Sequence, residues 1–366
     1  MDISTGIPFA IRVVNAKLAE RVYERDGGQM NYQGPAPSTD QPECTGVLLT
    51  NLGTPDAPTT KDVRRYLKEF LSDPRVVETP QLIWWLVLNG IILRTRPSKS
   101  AEAYQKVWTD NGSPLLDISR RQAAALDARL KLKSAGPIKV ALAMRYGNPS
   151  IADGLEALRR ANARRVIVLP LYPQYSATTT ASTFDAVSDV LKQWRWIPEL
   201  QFITHYQDYS GYISSLENSV RNFWQEHGEP DRLLISFHGI PKDYADAGDP
   251  YPEECSTTAQ LLADALGLDK DRWAMAFQSR LGRKEWLKPY TDETLKNWGA
   301  EGVGRVHAIC PGFSADCLET IEEIGEENRD YFLEAGGTEY RYIPSLNDRQ
   351  DHIEALADLV LSNSWR

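Results

Sequence analysis

The chain has 366 residues, enough for two cores of ordinary domain size, and its 42% hydrophobic and 25% charged content suits a globular protein rather than a fibrous or disordered one. A formal charge of −9 works against a protein that tracks a phosphate backbone, so nucleic acid is not expected as a partner. The four cysteines, Cys44, Cys255, Cys310 and Cys317, lack the C-x-x-C spacing of a simple zinc or disulfide framework.

Residues 1–42 read as an N-terminal extension, expected to be poorly ordered. The chain's start mixes Asp2, Glu20, Glu24 and Asp26 with basic residues and has no sustained apolar run, so no export signal is expected and the chain is assigned to the cytoplasm. Apolar, β-rich runs then recur at 46–52, 139–144, 165–171, 201–205, 233–237, 274–277, 306–310 and 340–343. Between them, 61–71, 119–132, 151–161, 184–194, 212–226 and 257–266 carry apolar residues at helical spacing. Strand-helix alternation predicts parallel α/β sheets, and runs such as Val166-Ile167-Val168-Leu169 read as strands covered on both faces. The break at Trp196-Ile197-Pro198-Glu199 is taken as a boundary, giving α/β halves at 43–198 and 199–345, each with a mainly parallel four-stranded sheet, and a C-terminal helix within 346–366. Ligands of such sheets bind beyond the carboxyl ends of the strands, with the cleft between the two halves.

The densest apolar stretch, 82–93, is far short of the roughly 20 residues that a membrane-spanning helix needs. It is either a buried core helix or an apolar lip over the cleft that touches a membrane surface.

The turn after the first strand reads Asn51-Leu52-Gly53-Thr54-Pro55, neither G-x-G-x-x-G nor a Walker loop, and Gly302-Val303-Gly304 precedes a strand instead of opening a helix. A nucleotide enzyme is therefore disfavoured. His238 ends an apolar strand ahead of Gly239 and Pro241; it is either a satisfied structural residue or a base whose free pKa lies near neutrality. Glu319, Glu323 and Glu327 share one helix face, where like charges repel, so the stripe is either a solvated acidic face or a track for cations or protons.

Five ordered motifs resemble the ferrochelatase family: Asn51-Leu52-Gly53-Thr54-Pro55; Tyr172-Pro173-Gln174-Tyr175-Ser176; Leu233 to Pro241 with Gly248-Asp249-Pro250-Tyr251-Pro252; Phe277 to Gly282 with Trp286-Leu287; and Gly312 to Thr320. The likeness runs from about Gly46 to Val360. It implies two Rossmann-like halves, a C-terminal helix that returns to the first half, and insertion of Fe²⁺ into protoporphyrin IX to form haem. His238 and Glu319 match the residues that face each other across the porphyrin in that family, as base or metal ligands, with Glu323 and Glu327 continuing the path. Leu52, Tyr172 and Trp286 are implied porphyrin walls, and Arg145 with Tyr146 matches the family's pair near the metal face. Leu52 excludes the axial ligand that a tyrosine there would give. Arg94 and Arg96 are either propionate contacts or ordinary surface charge.

Ala177 stands where cluster-bearing relatives have a cysteine, and Leu361 to Arg366 carry none, so no iron-sulfur cluster or other resident cofactor is expected, with iron as a substrate. Rival readings are a coproporphyrin III or cobalt chelatase, and a haem carrier that would need neither His238 nor Glu319. The expected partners are porphyrin and ferrous iron, with peripheral contact at the inner face of the membrane through 82–93.

Overall fold

The computed structural model of the chain describes residues 32, 34, 41–280, 282 and 284–364. The expectation about the 1–42 extension falls almost wholly outside them. Eight strands, β1 (Cys44–Thr54), β2 (Ile138–Gly147), β3 (Ala163–Pro170), β4 (Glu199–Phe202), β5 (Arg232–His238), β6 (Trp273–Gln278), β7 (Arg305–Ile309) and β8 (Glu339–Ile343), form two sheets ordered β2-β1-β3-β4 and β6-β5-β7-β8. Every pairing is parallel, and the second sheet repeats the order of the first. In each, the chain passes to one side of its first strand and then crosses to the other, so a crevice opens at the carboxyl ends of β1 and β3 and again at those of β5 and β7.

The strands are apolar because helices cover both of their faces: Val47, Leu48 and Leu49 on β1 and Leu233, Leu234 and Ile235 on β5 are all fully buried. The helices start where the sequence supplies caps. Thr59 caps Thr60–Leu71 by accepting from the Asp62 amide at 3.2 Å, and Ser150 with Asp153 closes a capping box ahead of Ile151–Arg160.

Two expectations are corrected. β4 is shorter and earlier than 201–205, and it pairs with β3 from Arg165↔Glu199 to Val168↔Phe202. The first half therefore includes β4, and the boundary lies between Phe202 and the helix Ser210–His227, because the Pro198 break precedes an edge strand instead of ending a sheet. Nor are the two cores independent: each half has a cluster of its own, around Leu48 and Leu155 in the first and Leu234 and Phe332 in the second, and a third unites them. The largest apolar cluster joins Val47, Leu49 and Leu126 to Leu233, Ile235 and Phe237, and takes in Leu356, Leu359 and Val360 of the C-terminal helix Gln350–Ser362. That helix packs against both Pro114–Lys133 and Ser210–His227. On the first, Arg129 and Lys133 pair with Glu354, Lys133 also with Asp358, while Arg121 meets Asp348 at 2.8 Å.

The segment after Thr60–Leu71 leads to a short helix, Gln81–Val87, a wide π turn at Leu88–Ile92 and the helix Leu93–Val107. Two further π segments occur, Ala177–Ala181 and Glu319–Glu327, the latter being the acidic stripe. Wide turns of this kind concentrate at functional sites. Among the described residues, no helix is long and apolar enough to cross a membrane.

Candidate active site

Motif residues lie at the carboxyl ends of strands in both sheets. His238 is the last residue of β5, in register with Gln278 at the end of β6. The turn that follows is tight: the Gly239 amide donates to the Gln278 carbonyl at 2.8 Å, and a Cβ on Gly239 would lie 3.0 Å from that oxygen and 3.2 Å from the Trp286 ring. A glycine here lets the imidazole sit against the tryptophan. His238 Nδ1 lies 2.6 Å from the Gly239 carbonyl oxygen, which can only accept, so Nδ1 carries the proton and Nε2 keeps its lone pair. The ring centres of Trp286 and Phe313 each stand 6.5 Å from that of His238. Burial pushes the His238 pKa down, opposed by the negative charge of Glu319, which leaves a neutral imidazole at pH 7.

Glu319 opens the π helix and is fixed from β6, because Gln278 Nε2 donates to its backbone carbonyl at 3.1 Å while Ser236 Oγ on β5 donates to Gln278 Oε1 at 2.9 Å. Just upstream, buried Asp316 accepts from Thr320 Oγ1 at 3.1 Å, Tyr342 OH at 2.7 Å and Asn347 Nδ2 at 2.7 Å, which locks the start of the helix. The stripe then grades outward. Glu323 accepts from Ser279 Oγ, and burial together with the Glu319 charge pushes it up to about 7, against the lowering effect of Ser279. Ser279 holds this position with φ of +68°, a left-handed conformation uncommon outside glycine and found at functional sites. Glu327 is exposed and accepts from Tyr331 OH at 2.6 Å.

From the first half, Leu52, two residues before the end of β1, packs, as does Phe313, against Leu115, Ile118, Ala315 and Cys317, a cluster drawn from both halves. Gly53, at φ +110°, is compulsory: a Cβ would fall 1.8 Å from the Tyr146 carbonyl oxygen on β2. Tyr172 is partly buried, and its hydroxyl is enclosed without a partner among the described residues. Arg145 and Tyr146 both engage a buried carboxylate. Tyr146 is 1% exposed; its hydroxyl donates to Asp73 Oδ2 at 2.8 Å, and Arg145 spends its guanidinium on Asp73 and on Ser182, at 2.6 Å from Oγ. Arg94 and Arg96 are exposed on Leu93–Val107 and form no ion pair among the described residues.

Sequence reasoning missed Asp73, and also Tyr66 and Tyr104, two buried tyrosines whose hydroxyls are pushed well up by burial and further by the Glu319 charge. Only the apolar spacing of their helices could have pointed to them. The stretch 82–93 is not a core helix: Leu82, Ile83, Trp85, Leu86 and Ile91 are each more than half exposed, whereas Trp84 turns inward and donates to the Leu71 carbonyl at 2.5 Å.

Chemically, a nitrogen with a free lone pair lies within electrostatic reach of the Glu319 carboxylate, a combination that suits proton transfer and transient cation binding. Among the described residues no three or more His, Cys, Asp or Glu side chains could together enclose a metal ion. The ferrochelatase family model matches residues 44–364. The chain is 61% identical to a ferrochelatase of Thioalkalivibrio sulfidiphilus over 88% of its own length and 87% of that protein's, and 58% identical to one of Hydrogenovibrio crunogenus over 88% and 86%. In fold it is similar to SirB from Bacillus subtilis with Fe³⁺, with a TM-score of 0.51 at 13% identity, covering 87% of this chain and 95% of that one. Motif order, sheet topology and identity over most of both lengths agree, and the chain belongs to the ferrochelatase family.

Proposed function

We propose that this chain inserts Fe²⁺ into protoporphyrin IX, releasing two protons, as the terminal step of haem synthesis. The observation that carries the reading is the neutral imidazole of His238, with Nε2 free to accept and Glu319 supplying the opposing charge. Leu52, Tyr172, Trp286 and Phe313 form the apolar walls between which a flat macrocycle would be held. His238 Nε2 takes a pyrrole proton as iron enters from the opposite face, and bending of the ring by the walls exposes the nitrogen lone pair that the metal needs. Protons leave along Glu319, Glu323 and Glu327, since a carboxyl held near 7 both accepts and releases a proton at neutral pH.

The exposed lip serves as the porphyrin entrance and rests on the membrane surface, which places the enzyme peripherally at the inner face of the membrane, with Arg94 and Arg96 near the propionates. Its apolar character supports the dicarboxylate protoporphyrin IX over the tetracarboxylate coproporphyrin III; turnover of the two should differ in that direction. Ala177, in place of a cluster cysteine, supports catalysis without an iron-sulfur cluster.

The test is Fe²⁺-dependent loss of porphyrin fluorescence. His238→Ala should lose at least about a hundredfold in turnover, the usual scale for a general base, while still quenching tryptophan emission on binding porphyrin. Near-normal turnover in that variant would remove His238 from the chemistry.

A further inference from the structure

The stem of the lip, 76–78, is held by a residue from the other half of the chain. Tyr244 lies on the short helix Lys242–Asp246, four residues after Ile240, and is buried. Its hydroxyl donates to the Val76 carbonyl at 3.2 Å and accepts from the Glu78 amide at 3.0 Å, satisfying two backbone groups of a segment with no regular secondary structure of its own. The Val76 and Val77 amides close back on the Asp73 carbonyl at 3.0 Å, so the stem runs from the Asp73 hub to Tyr244 and then into the lip helix.

Tyr244 is also tied to the reacting face. The turn between it and His238 zips onto the irregular segment carrying Trp286: Lys242 N donates to the Glu285 carbonyl at 2.9 Å, Leu287 N donates to the Ile240 carbonyl at 3.1 Å, and Pro241 forms an isolated bridge with Trp286. Lys284, on the same segment, pairs with Asp243 at 2.7 Å and stands 5.3 Å from the centre of the Tyr244 ring. One phenol therefore touches the lip stem at its tip and the His238 and Trp286 segments at its base.

We propose that Tyr244 is a positioning residue for porphyrin uptake, a latch whose hydroxyl keeps the lip in register with Trp286 and His238. This rests on the reading of the lip as the porphyrin entrance. Losing the latch lets the lip move relative to the wall, which weakens capture of the macrocycle and leaves the path for iron and the groups at the metal face untouched.

Tyr244→Phe keeps the ring and removes only the hydroxyl, so folding is checked by an unchanged melting temperature. In the full-length enzyme it should raise the porphyrin KM roughly three- to tenfold, the scale of a lost hydrogen bond, and leave the Fe²⁺ KM within about twofold. Hydrogen exchange at the Glu78 amide should speed up. Trp85→Ser, measured beside it, tests the entrance itself. If Trp85→Ser raises the porphyrin KM and Tyr244→Phe does not, the latch is wrong and the entrance stands. If neither raises it, the entrance reading fails and takes the latch with it. A fall in kcat for Tyr244→Phe with both KM values unchanged also overturns the proposal, since it would mark a purely structural loss.

Discussion

Glu319, Glu323 and Glu327 have the same side chain and three different environments, and the difference is set by what surrounds each carboxylate. The charge of Glu319 acts on His238, Glu323 is raised to about 7 by burial, and Glu327 meets solvent and Tyr331. Replacing each by Gln keeps size and removes charge, so turnover at saturating iron and porphyrin should fall most for Glu319, less for Glu323 and least for Glu327, the first by at least about a hundredfold if it acts in the proton transfer. Equal, slight effects at all three would return the stripe to a solvated acidic face. His238 and this stripe were legible in the sequence because turn residues and four-residue spacing are local signals. Asp73 was not, since its partners Arg145, Tyr146 and Ser182 stand 72, 73 and 109 residues away. Tyr244 was hidden for the same reason, 166 residues from Glu78.

Among the elements, the strands could be read because parallel strands covered on both faces are continuous apolar runs, and β1, β3 and β5 carry them plainly. β4 is a four-residue edge strand with no buried residue, which leaves the sequence little to show. The lip was ambiguous for a deeper reason: composition records that a segment is apolar, and only the fold decides whether anything covers it. Its two tryptophans now separate. Trp85 is 59% exposed, so Trp85→Ser should weaken binding to lipid vesicles with the melting temperature nearly unchanged. Trp84 packs beside Leu71, Leu88 and Leu93 and bonds to the Leu71 carbonyl, so Trp84→Ser should cost about 3 kcal/mol or more of stability. Thermal unfolding and vesicle co-sedimentation of the two single variants check this; equal losses of stability would place both in the core.

For the whole molecule, stability should depend on pH through His352, a fully buried ring on the C-terminal helix whose Nδ1 lies 2.8 Å from the Asn347 carbonyl oxygen. Burial lowers its pKa to about 4, whereas the unfolded chain takes up that proton near 6.5. Below about 6.5 the unfolded state binds a proton that the folded state refuses, so this contribution is complete above that pH and is lost as the pH falls towards 4, by roughly 3 kcal/mol in all. His352→Gln keeps a hydrogen-bond donor and removes the titration, and should narrow the gap between melting temperatures at pH 7.5 and pH 5; an unchanged gap would assign the acid sensitivity elsewhere. The helix carrying His352 lies in the apolar cluster that belongs to both halves, and that continuity restricts how the molecule can breathe. Swinging one sheet away from the other would expose side chains of that shared cluster, so hinge opening between the halves carries the cost of the apolar contacts they share. A macrocycle taken up through the lip, as proposed, then calls for movement at the rim, in the lip and the wide-turned helices, more than between the sheets.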